Sequence, residues 1–219
     1  MHEIILRLVT QIPAFLFAIV IHEWAHAYIA FRFGDPTAKA YGRLTLNPMA
    51  HIDPIGTVVF PLLGVVTGSV MFGWAKPVPV DFRYFKNFRK STFWVSFAGP
   101  LANIIIAFIS AVFFTFMLAK IPQNFYLYKP LIEIMKNSVY INIILAAFNL
   151  IPLPPLDGSK MVSSFLSYPA LVRYEALANY SFIFLLLMLF TNVLSYILTP
   201  AIWAGEIMTG LLYRFWLMV

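Results

Sequence analysis

One stretch of the sequence places ionisable side chains where a membrane helix normally carries apolar ones. Residues 8–31 form a run of 24 residues in which Glu23 is the single charged side chain, flanked by His22 and His26 in the string HEWAH. Histidines four positions apart lie on one face of a helix, so both imidazoles can reach one tetrahedral zinc ion. The adjacent glutamate can then act as general base on a water molecule that zinc activates.

The same residues also allow a structural interpretation. The two histidines could hydrogen-bond between packed helices, with Glu23 pairing with one of them. The metal site is favoured because ionisable groups are costly at membrane depth, and buried charge without a functional task is rare in membrane helices.

The composition determines the class of protein that holds this cluster. The chain is 61% hydrophobic and 11% charged, with a mean hydropathy of +0.83, whereas soluble domains carry about 25% charged residues. We therefore expect an all-α polytopic protein embedded in a lipid bilayer. The sequence contains no cysteine, which excludes thiolate ligands and disulfides. Its net charge of +6 comes from Lys and Arg in short segments between apolar runs, which is a topology signal rather than a nucleic-acid surface.

Charge-free runs predict the membrane spans of a single domain over residues 1–219. Five to six transmembrane helices are expected, the last of them weakened by Glu206 and Arg214. The second run is rich in proline and glycine, which predicts a re-entrant segment, because broken backbone at membrane depth must be buried in protein or line a cavity. The runs are 8–31, 54–75, 91–119, 137–156, 176–205 and 201–218.

Two polar segments could present extended backbone. Residues 42–46 allow a short β-strand within a turn-rich loop, and residues 72–81 allow a second extended stretch. Either could pair with an unwound substrate as an edge strand, although Pro77 and Pro79 limit pairing of the second to one side. An ordinary surface loop is the alternative for both. His51 and Asp53 are expected to be solvated loop positions, with a place close to the metal site as the alternative.

A catalytic zinc ion takes three protein ligands, so a third must come from elsewhere in the chain. The metzincin continuation requires glycine at position 29 and histidine at position 32, and this chain has Ile29 and Arg32 there, which excludes that class. Asp157 follows a charge-free run in the string NLIPLPPLDG, where prolines unwind the helix and Gly158 permits close approach. Asp157 is the preferred ligand because the histidines need a third partner. The alternative is that it caps the helix that follows.

The depth of these ligands constrains the topology. His22 and His26 lie near the end of the first run and Asp157 near the end of the fourth, so an odd number of crossings must separate them. Run 54–75 is therefore expected to re-enter. This topology divides the 15 Lys and Arg residues eleven against four, with the eleven on the zinc side, whereas a spanning run divides them nine against six. The positive-inside rule favours the first and predicts a site that faces the cytoplasm. The eleven are Arg32, Lys39, Arg43, Lys76, Arg83, Lys86, Arg89, Lys90, Lys160, Arg173 and Arg214.

Several motifs occur together in this chain. HEWAH at 22–26 is followed by AGPLAN at 98–103 and by N-x-x-P-x-x-x-x-D-G at 149–158. In combination they resemble the site-2 protease family of intramembrane zinc metalloproteases. GRLTLNP at 42–48 and IDPIGT at 52–57 resemble its minimal prokaryotic branch, and the chain shows neither the PDZ nor the CBS domain of many members.

The resemblance implies a site and an activity. One zinc ion per chain would be held by His22, His26 and Asp157, Glu23 would activate water, and Asn149 would hold the substrate or polarise its scissile carbonyl. The chain would be an endopeptidase in a prokaryotic cell membrane. It would hydrolyse peptide bonds within or near the transmembrane segments of membrane protein substrates.

Structural and non-catalytic alternatives stay open at this point. Asn149 could make an interhelical hydrogen bond or a helix cap, and Asn103 is expected to make a helix-packing contact. The whole chain could be a non-catalytic membrane protein that binds metal or transmembrane helices, such as a transporter or an adaptor. The endopeptidase is favoured because a transporter has no need for a glutamate between its two histidine ligands.

Overall fold

Helices make up most of the structure, a computed structural model that describes residues 2–68 and 73–219. Across these two ranges there is no β-strand, which confirms the prediction of an all-α protein. Short 3₁₀ helices form at Pro48–Ala50, Phe82–Tyr84 and Ala176–Tyr180, and a π-helical segment forms at Pro54–Val59. The α-helices are α1 (His2–Arg32), α2 (Thr37–Ala40), α3 (Phe60–Thr67), α4 (Phe88–Lys120), α5 (Tyr128–Asn149), α6 (Asp157–Ser163), α7 (Tyr168–Glu175), α8 (Ser181–Phe190) and α9 (Val193–Met218).

Three of these helices are long and apolar enough to cross a bilayer. They are α1 from residue 4, α4 and α5, with 29, 33 and 22 residues, and at about 1.5 Å per residue each exceeds the hydrocarbon thickness of about 30 Å. Within the described ranges the count is therefore three, and the predicted five to six spans are not confirmed. The charge-free run 176–205 is divided between two helices, because Asn192 takes a left-handed backbone conformation (φ 57°) between α8 and α9.

The three spanning helices pack together through small residues. α1 packs against α4 and α5, α4 packs against α5, and α9 packs against α4 and α5. Alanine, serine and threonine supply most of the buried positions of α1 and α4, which lets the helix backbones approach closely. Contacts between side chains bring the C-terminal part of α1, the beginning of α4 and the residues that follow α5 to one end of the bundle.

Within the run 54–75, the structure describes residues 54–68 and 73–75, and these two parts lie beside each other. The apolar helix over Pro54–Thr67 has 14 residues, a length of about 21 Å that falls short of a full crossing. Gly68 ends it with a left-handed conformation (φ +70°). Residues 69–72 lie outside the described ranges. The backbone N–H of Trp74 then donates to the carbonyl of Gly56 at 3.1 Å, so the chain comes back beside the start of the helix, as a re-entrant segment does.

The two segments expected to present extended backbone differ from each other. Residues 42–46 form turns, so the predicted short strand is wrong there. The physical reason is local satisfaction of polar groups, because the Arg43 N–H donates to Ala38 O and its guanidinium donates to Ala50 O. Residues 73–81 form no helix and belong to no sheet, and the N–H groups at every second position from Trp74 to Val78 donate into the protein, as extended backbone allows. Phe72, at the start of that predicted stretch, is among the residues not described.

A glycine on α9 tests the packing of that helix. A side chain at Gly205 would overlap the Cδ1 atom of Ile143 on α5. We expect Gly205→Leu to push the two helices apart and to lower the free energy of unfolding by about 1–3 kcal/mol, the usual cost of overpacking. Gly210→Leu is the matched control, because nothing lies within 4 Å of a side chain at that position. Thermal unfolding in detergent measures both variants, and equal losses would contradict the contact.

Candidate metal centre

Three buried side chains from distant parts of the sequence converge on one point. His22 Nε2 lies 3.0 Å from His26 Nε2, and Asp157 Oδ2 lies 3.1 Å from the first and 3.2 Å from the second. The residues are only 6%, 9% and 8% exposed. Zinc bonds of about 2.0–2.1 Å at tetrahedral angles separate ligand atoms by about 3.3 Å, so this triangle has the size of one face of a zinc tetrahedron.

The outer nitrogen of each imidazole shows which ring nitrogen carries the proton. His26 Nδ1 lies 2.6 Å from the backbone carbonyl of Val95, which can only accept a hydrogen bond, so Nδ1 is the donor. His22 Nδ1 lies 2.6 Å from Asn103 Oδ1. The Nε2 atoms of neutral rings in this tautomer carry lone pairs, and these lone pairs face each other and Asp157.

The orientation of the Asn103 amide follows from its other partners. Its Nδ2 donates to Ala18 O at 3.1 Å and to Asn142 Oδ1 at 2.8 Å, which leaves Oδ1 to accept from His22. Asn142 in turn donates to the carbonyl of Ser138 at 2.8 Å. Both asparagines are fully buried. This chain of hydrogen bonds through α4 and α5 fixes the ring of His22 in its metal-binding orientation.

The donor set therefore fits a cation better than it fits a packing contact. Two imidazole lone pairs and a carboxylate oxygen within 3.2 Å of one another repel unless a positive charge lies among them. The structural alternative requires Glu23 to pair with a histidine. Instead, Glu23 Oε2 accepts a hydrogen bond from the backbone N–H of Val78 at 2.8 Å. Two imidazoles and one carboxylate are also a usual donor set of catalytic zinc sites.

The loop after α5 delivers Asp157 to the histidines. It contains tight turns from Ile151 to Leu156 and a cis peptide bond between Pro154 and Pro155. Asp157 is the first residue of α6, and its carboxylate contacts the histidines, so the alternative role as the capping residue before that helix is wrong. A side chain at Gly158 would overlap Leu150 O, which confirms that this glycine permits a close approach.

A cavity of about 590 Å³ opens beside the metal centre. Glu23 and Asn149 both lie in its wall, and both are partly exposed. Asn149 Nδ2 donates to Leu145 O at 2.9 Å within α5. The remaining lining is mostly apolar and comes from α1, the extended segment 73–75, α5 and the helices α8 and α9; it includes Phe15, Ile19, Ile141, Phe148, Leu185, Leu194 and Leu198.

Some polar residues have roles that the sequence did not predict. Asn103 makes the expected helix-packing contact, through hydrogen bonds to Ala18 O on α1 and Asn142 Oδ1 on α5, and it also accepts from His22, which the sequence did not predict. Its position four residues after Gly99, on the same helix face, was the signal that could have indicated this. His51 was expected to be solvated, but it is fully buried with its Nε2 atom 2.8 Å from Thr45 O. Asp53 begins the π-helical segment by accepting from the N–H groups of Ile55 and Gly56.

Among the described residues, three groups away from the candidate metal ligands have shifted pKa values. Side-chain and backbone hydrogen bonds from Arg83 lower the pKa of the Asp81 carboxyl, and the same contact raises the pKa of the Arg83 guanidinium. Burial raises the pKa of the Tyr174 hydroxyl, which donates to Pro152 O at 2.7 Å. That bond ties α7 to the loop that carries Asp157.

Known proteins are similar to this sequence over most of its length. Residues 120–189 match the family described as Peptidase family M50. A protein of Bacillus subtilis (strain 168) named "Putative zinc metalloprotease YwhC" is 39% identical over 187 residues, covering 85% of this chain and 82% of that protein. The chain belongs to peptidase family M50. Rip2 of Mycolicibacterium smegmatis (strain ATCC 700084 / mc(2)155), named in the same words, is 26% identical over 188 residues, covering 84% of this chain and 68% of Rip2. No solved structure gave a significant match.

Membership confirms the resemblance to the site-2 protease family. It identifies the chain as an integral membrane protein of a metalloprotease family whose cofactor is zinc. The matched residues 120–189 include Asn149 and Asp157. The geometry of His22, His26 and Asp157 fits that cofactor on chemical grounds alone.

The hydrogen bond between Asn103 and His22 can be tested through zinc affinity. Asn103→Ala removes the acceptor that holds the His22 tautomer, and we expect the zinc dissociation constant to rise by about 10–100-fold. Ser110→Ala is the control, because it removes a buried hydroxyl of the same helix that bonds to Ser138 and touches no histidine. Competition with a chromophoric chelator in detergent measures both constants. An unchanged constant in Asn103→Ala would contradict the orienting role.

Gly99 tests the space beside the ligands. A Cβ atom there would stand 2.7 Å from His22 Nε2 and closer still to His26 Nε2. We expect Gly99→Ala to displace the imidazoles and to lower the bound zinc per chain, although alanine favours a helix over glycine by about 1 kcal/mol. Elemental analysis measures the metal, with Gly210→Ala as control because nothing lies within 4 Å of it. Full zinc in Gly99→Ala would show that the imidazoles tolerate the methyl group.

Proposed function

We propose that the chain is an intramembrane zinc endopeptidase that hydrolyses peptide bonds within or near the transmembrane segments of membrane protein substrates. The observation that carries the proposal is the contact between the cavity and the site. The same apolar wall includes His22 and Glu23, so an apolar polypeptide in the cavity would touch the hydrolytic groups. Burial of apolar side chains would provide the affinity for such a substrate.

His22, His26 and Asp157 would hold one zinc ion, with the imidazoles oriented by Asn103 and by the carbonyl of Val95. This set leaves one coordination position for water or substrate. When bound, zinc lowers the pKa of its water to about 7 and polarises a carbonyl.

Glu23 would be the general base, and afterwards the general acid. It follows His22 directly in the chain and faces the cavity, which is the position from which a carboxylate can take a proton from water. The same carboxyl group can then deliver that proton to the leaving nitrogen of the peptide bond.

Asn149 would stabilise the oxyanion that develops on the scissile carbonyl. One N–H of its amide donates to Leu145 O, and the second N–H can donate to a substrate in the cavity that Asn149 lines. The bond to Leu145 lies within α5, whose C-terminal capping residue is Leu150, so it leaves the second N–H of Asn149 for a substrate.

The substrate must be unwound before it is cut, because a helix keeps its peptide groups in internal hydrogen bonds. Residues 73–75 contribute extended backbone to the cavity wall, and they offer an edge to which an unwound substrate could pair by β-augmentation. The N–H groups of Trp74, Lys76 and Val78 already donate into the protein, so pairing would use the opposite edge.

The orientation in the membrane is also part of the proposal. The positive-inside rule puts the metal centre toward the cytoplasmic side of a prokaryotic cell membrane, with the lipid bilayer around the exposed apolar face of α4. Water would reach the site from the cytoplasm.

A reconstituted cleavage assay tests the function. The probe is a single-span reporter protein with an Asn-Pro pair at the centre of its transmembrane segment, incorporated with the purified chain in liposomes. We expect the wild type to cut within or beside the apolar segment, as located by mass spectrometry of the products. Glu23→Gln should keep zinc and lose cleavage, Asp157→Ala should lose both, and Asn149→Ala should lower kcat by about 10²-fold.

Controls separate the enzyme from the non-catalytic alternative. A chelator should stop cleavage, and added Zn²⁺ should restore it. A chain that binds the reporter equally well as wild type and as Glu23→Gln, with no product from either, would be a binding protein. Cleavage that survives Glu23→Gln would remove Glu23 from the mechanism.

A further inference from the structure

The extended segment 73–79 is attached to the protein through alternate backbone N–H groups. Trp74 donates to Gly56 O at 3.1 Å, Lys76 donates to His51 O at 2.9 Å, and Val78 donates to Glu23 Oε2 at 2.8 Å. In extended backbone, groups two residues apart point the same way, so the three bonds form one regular series. The first two acceptors are backbone carbonyls. The third is the carboxylate of the proposed general base.

The sequence around Val78 leaves this hydrogen bond without a substitute. Pro77 and Pro79 carry no backbone N–H, so Val78 supplies the only donor of the backbone between residues 77 and 79. The rings also fix φ near about −65° at both positions, which stiffens the backbone on each side of the donor. A segment that only had to cover the site would not need a single donor held between two prolines.

The bond also limits what the Glu23 side chain can do. Throughout residues 2–68 and 73–219, the Val78 N–H is the one hydrogen-bond donor that reaches the Glu23 carboxylate. It holds Oε2 and leaves Oε1 without a hydrogen bond from the described residues, and Glu23 lines the cavity. Glu23 has three side-chain torsions, so an untethered carboxylate would sample several positions relative to the metal ligands.

We propose that the backbone N–H of Val78 is a positioning group for Glu23, which holds one carboxylate oxygen so that the other is aimed at the substrate water. The inference rests on the proposed function and adds a component to it. Gly73, Trp74 and Ala75 of the same segment line the cavity, so a substrate that presses on this wall also steadies the base. The backbone from Trp74 to Val78 thereby connects the cavity wall that a substrate would contact to the carboxylate that would transfer the proton.

The deciding variant is Val78→Pro, which removes the N–H. Misplacement of a catalytic group by about 1 Å can cost about 10²-fold in rate, so we expect kcat for the reporter to fall by about 10²-fold while KM and zinc content stay unchanged. Val78→Ala keeps the N–H and should stay near wild type. Lys76→Pro removes the neighbouring bond of the same series, the one to His51, and should lower the thermal midpoint with much less effect on kcat.

If the Val78 N–H served only to hold the segment in place, the kcat values of the two proline variants would follow a different pattern. If Val78→Pro keeps the wild-type kcat, or if Lys76→Pro lowers kcat as much as Val78→Pro does, the proposal is overturned. Should Val78→Pro fail to fold, an ester at position 78 replaces it. Incorporation of α-hydroxyisovaleric acid deletes the N–H and keeps the valine side chain, and the same fall in kcat is expected.

A measurement without turnover separates this inference from the proposed function. Infrared difference spectra between the chain and Glu23→Gln report the carboxylate stretch of Glu23. The band should shift in the ester variant, because one hydrogen bond to the carboxylate is lost, and an unmoved band would overturn the inference even in a chain that cleaves. Conversely, the band could shift in a chain that cleaves no reporter. That result would support the contact between Val78 and Glu23 and contradict the proposed protease function.

Discussion

The arrangement of the helices around the site depends on one constraint, which is that three electron-rich atoms are held together away from water. Two imidazole nitrogens and a carboxylate oxygen lie within 3.2 Å of one another at the end of a membrane helix. Such an arrangement is costly without a cation, so the surrounding structure must prevent the side chains from turning apart. α4 does this for both histidines, because the carbonyl of Val95 and the Oδ1 atom of Asn103 accept hydrogen bonds from their Nδ1 atoms. Gly99, between these two residues on the same helix, leaves room for the rings.

The topology follows from the same requirement. Ligands on α1 and after α5 can meet only if the end of α1 and the end of α5 lie at one level. Two crossings by α4 and α5 achieve this, provided that the segment between α1 and α4 does not cross. The described parts of run 54–75 fit the condition, because Trp74 is bonded to Gly56 near the start of the run. The returning strand-like segment then lies beside the site, where Val78 reaches Glu23.

Local pattern predicted those features that a few residues encode by themselves. The HEWAH string, the proline-broken loop before Asp157 and the proline- and glycine-rich run 54–75 each identify their role through spacing or backbone chemistry. Features that depend on partners far away in the sequence were missed. The contact in which Asn103 accepts from His22 joins residues 81 positions apart, and the contact of Val78 with Glu23 spans 55 positions. Asn192 divides the run 176–205 although no charge marks it, since one left-handed residue is enough to separate two helices.

The metal ligands also have a consequence for how the chain is held closed. His26 and Asp157 are 131 positions apart, and a bound ion would join them directly. A cross-link over so long a loop restricts the unfolded chain strongly, which is the effect that a disulfide has in secreted proteins. This chain has no cysteine with which to make one. A bound zinc ion would therefore act as a removable cross-link between α1 and α6. Loss of the ion would remove the catalytic activity and lower the stability of the folded chain together.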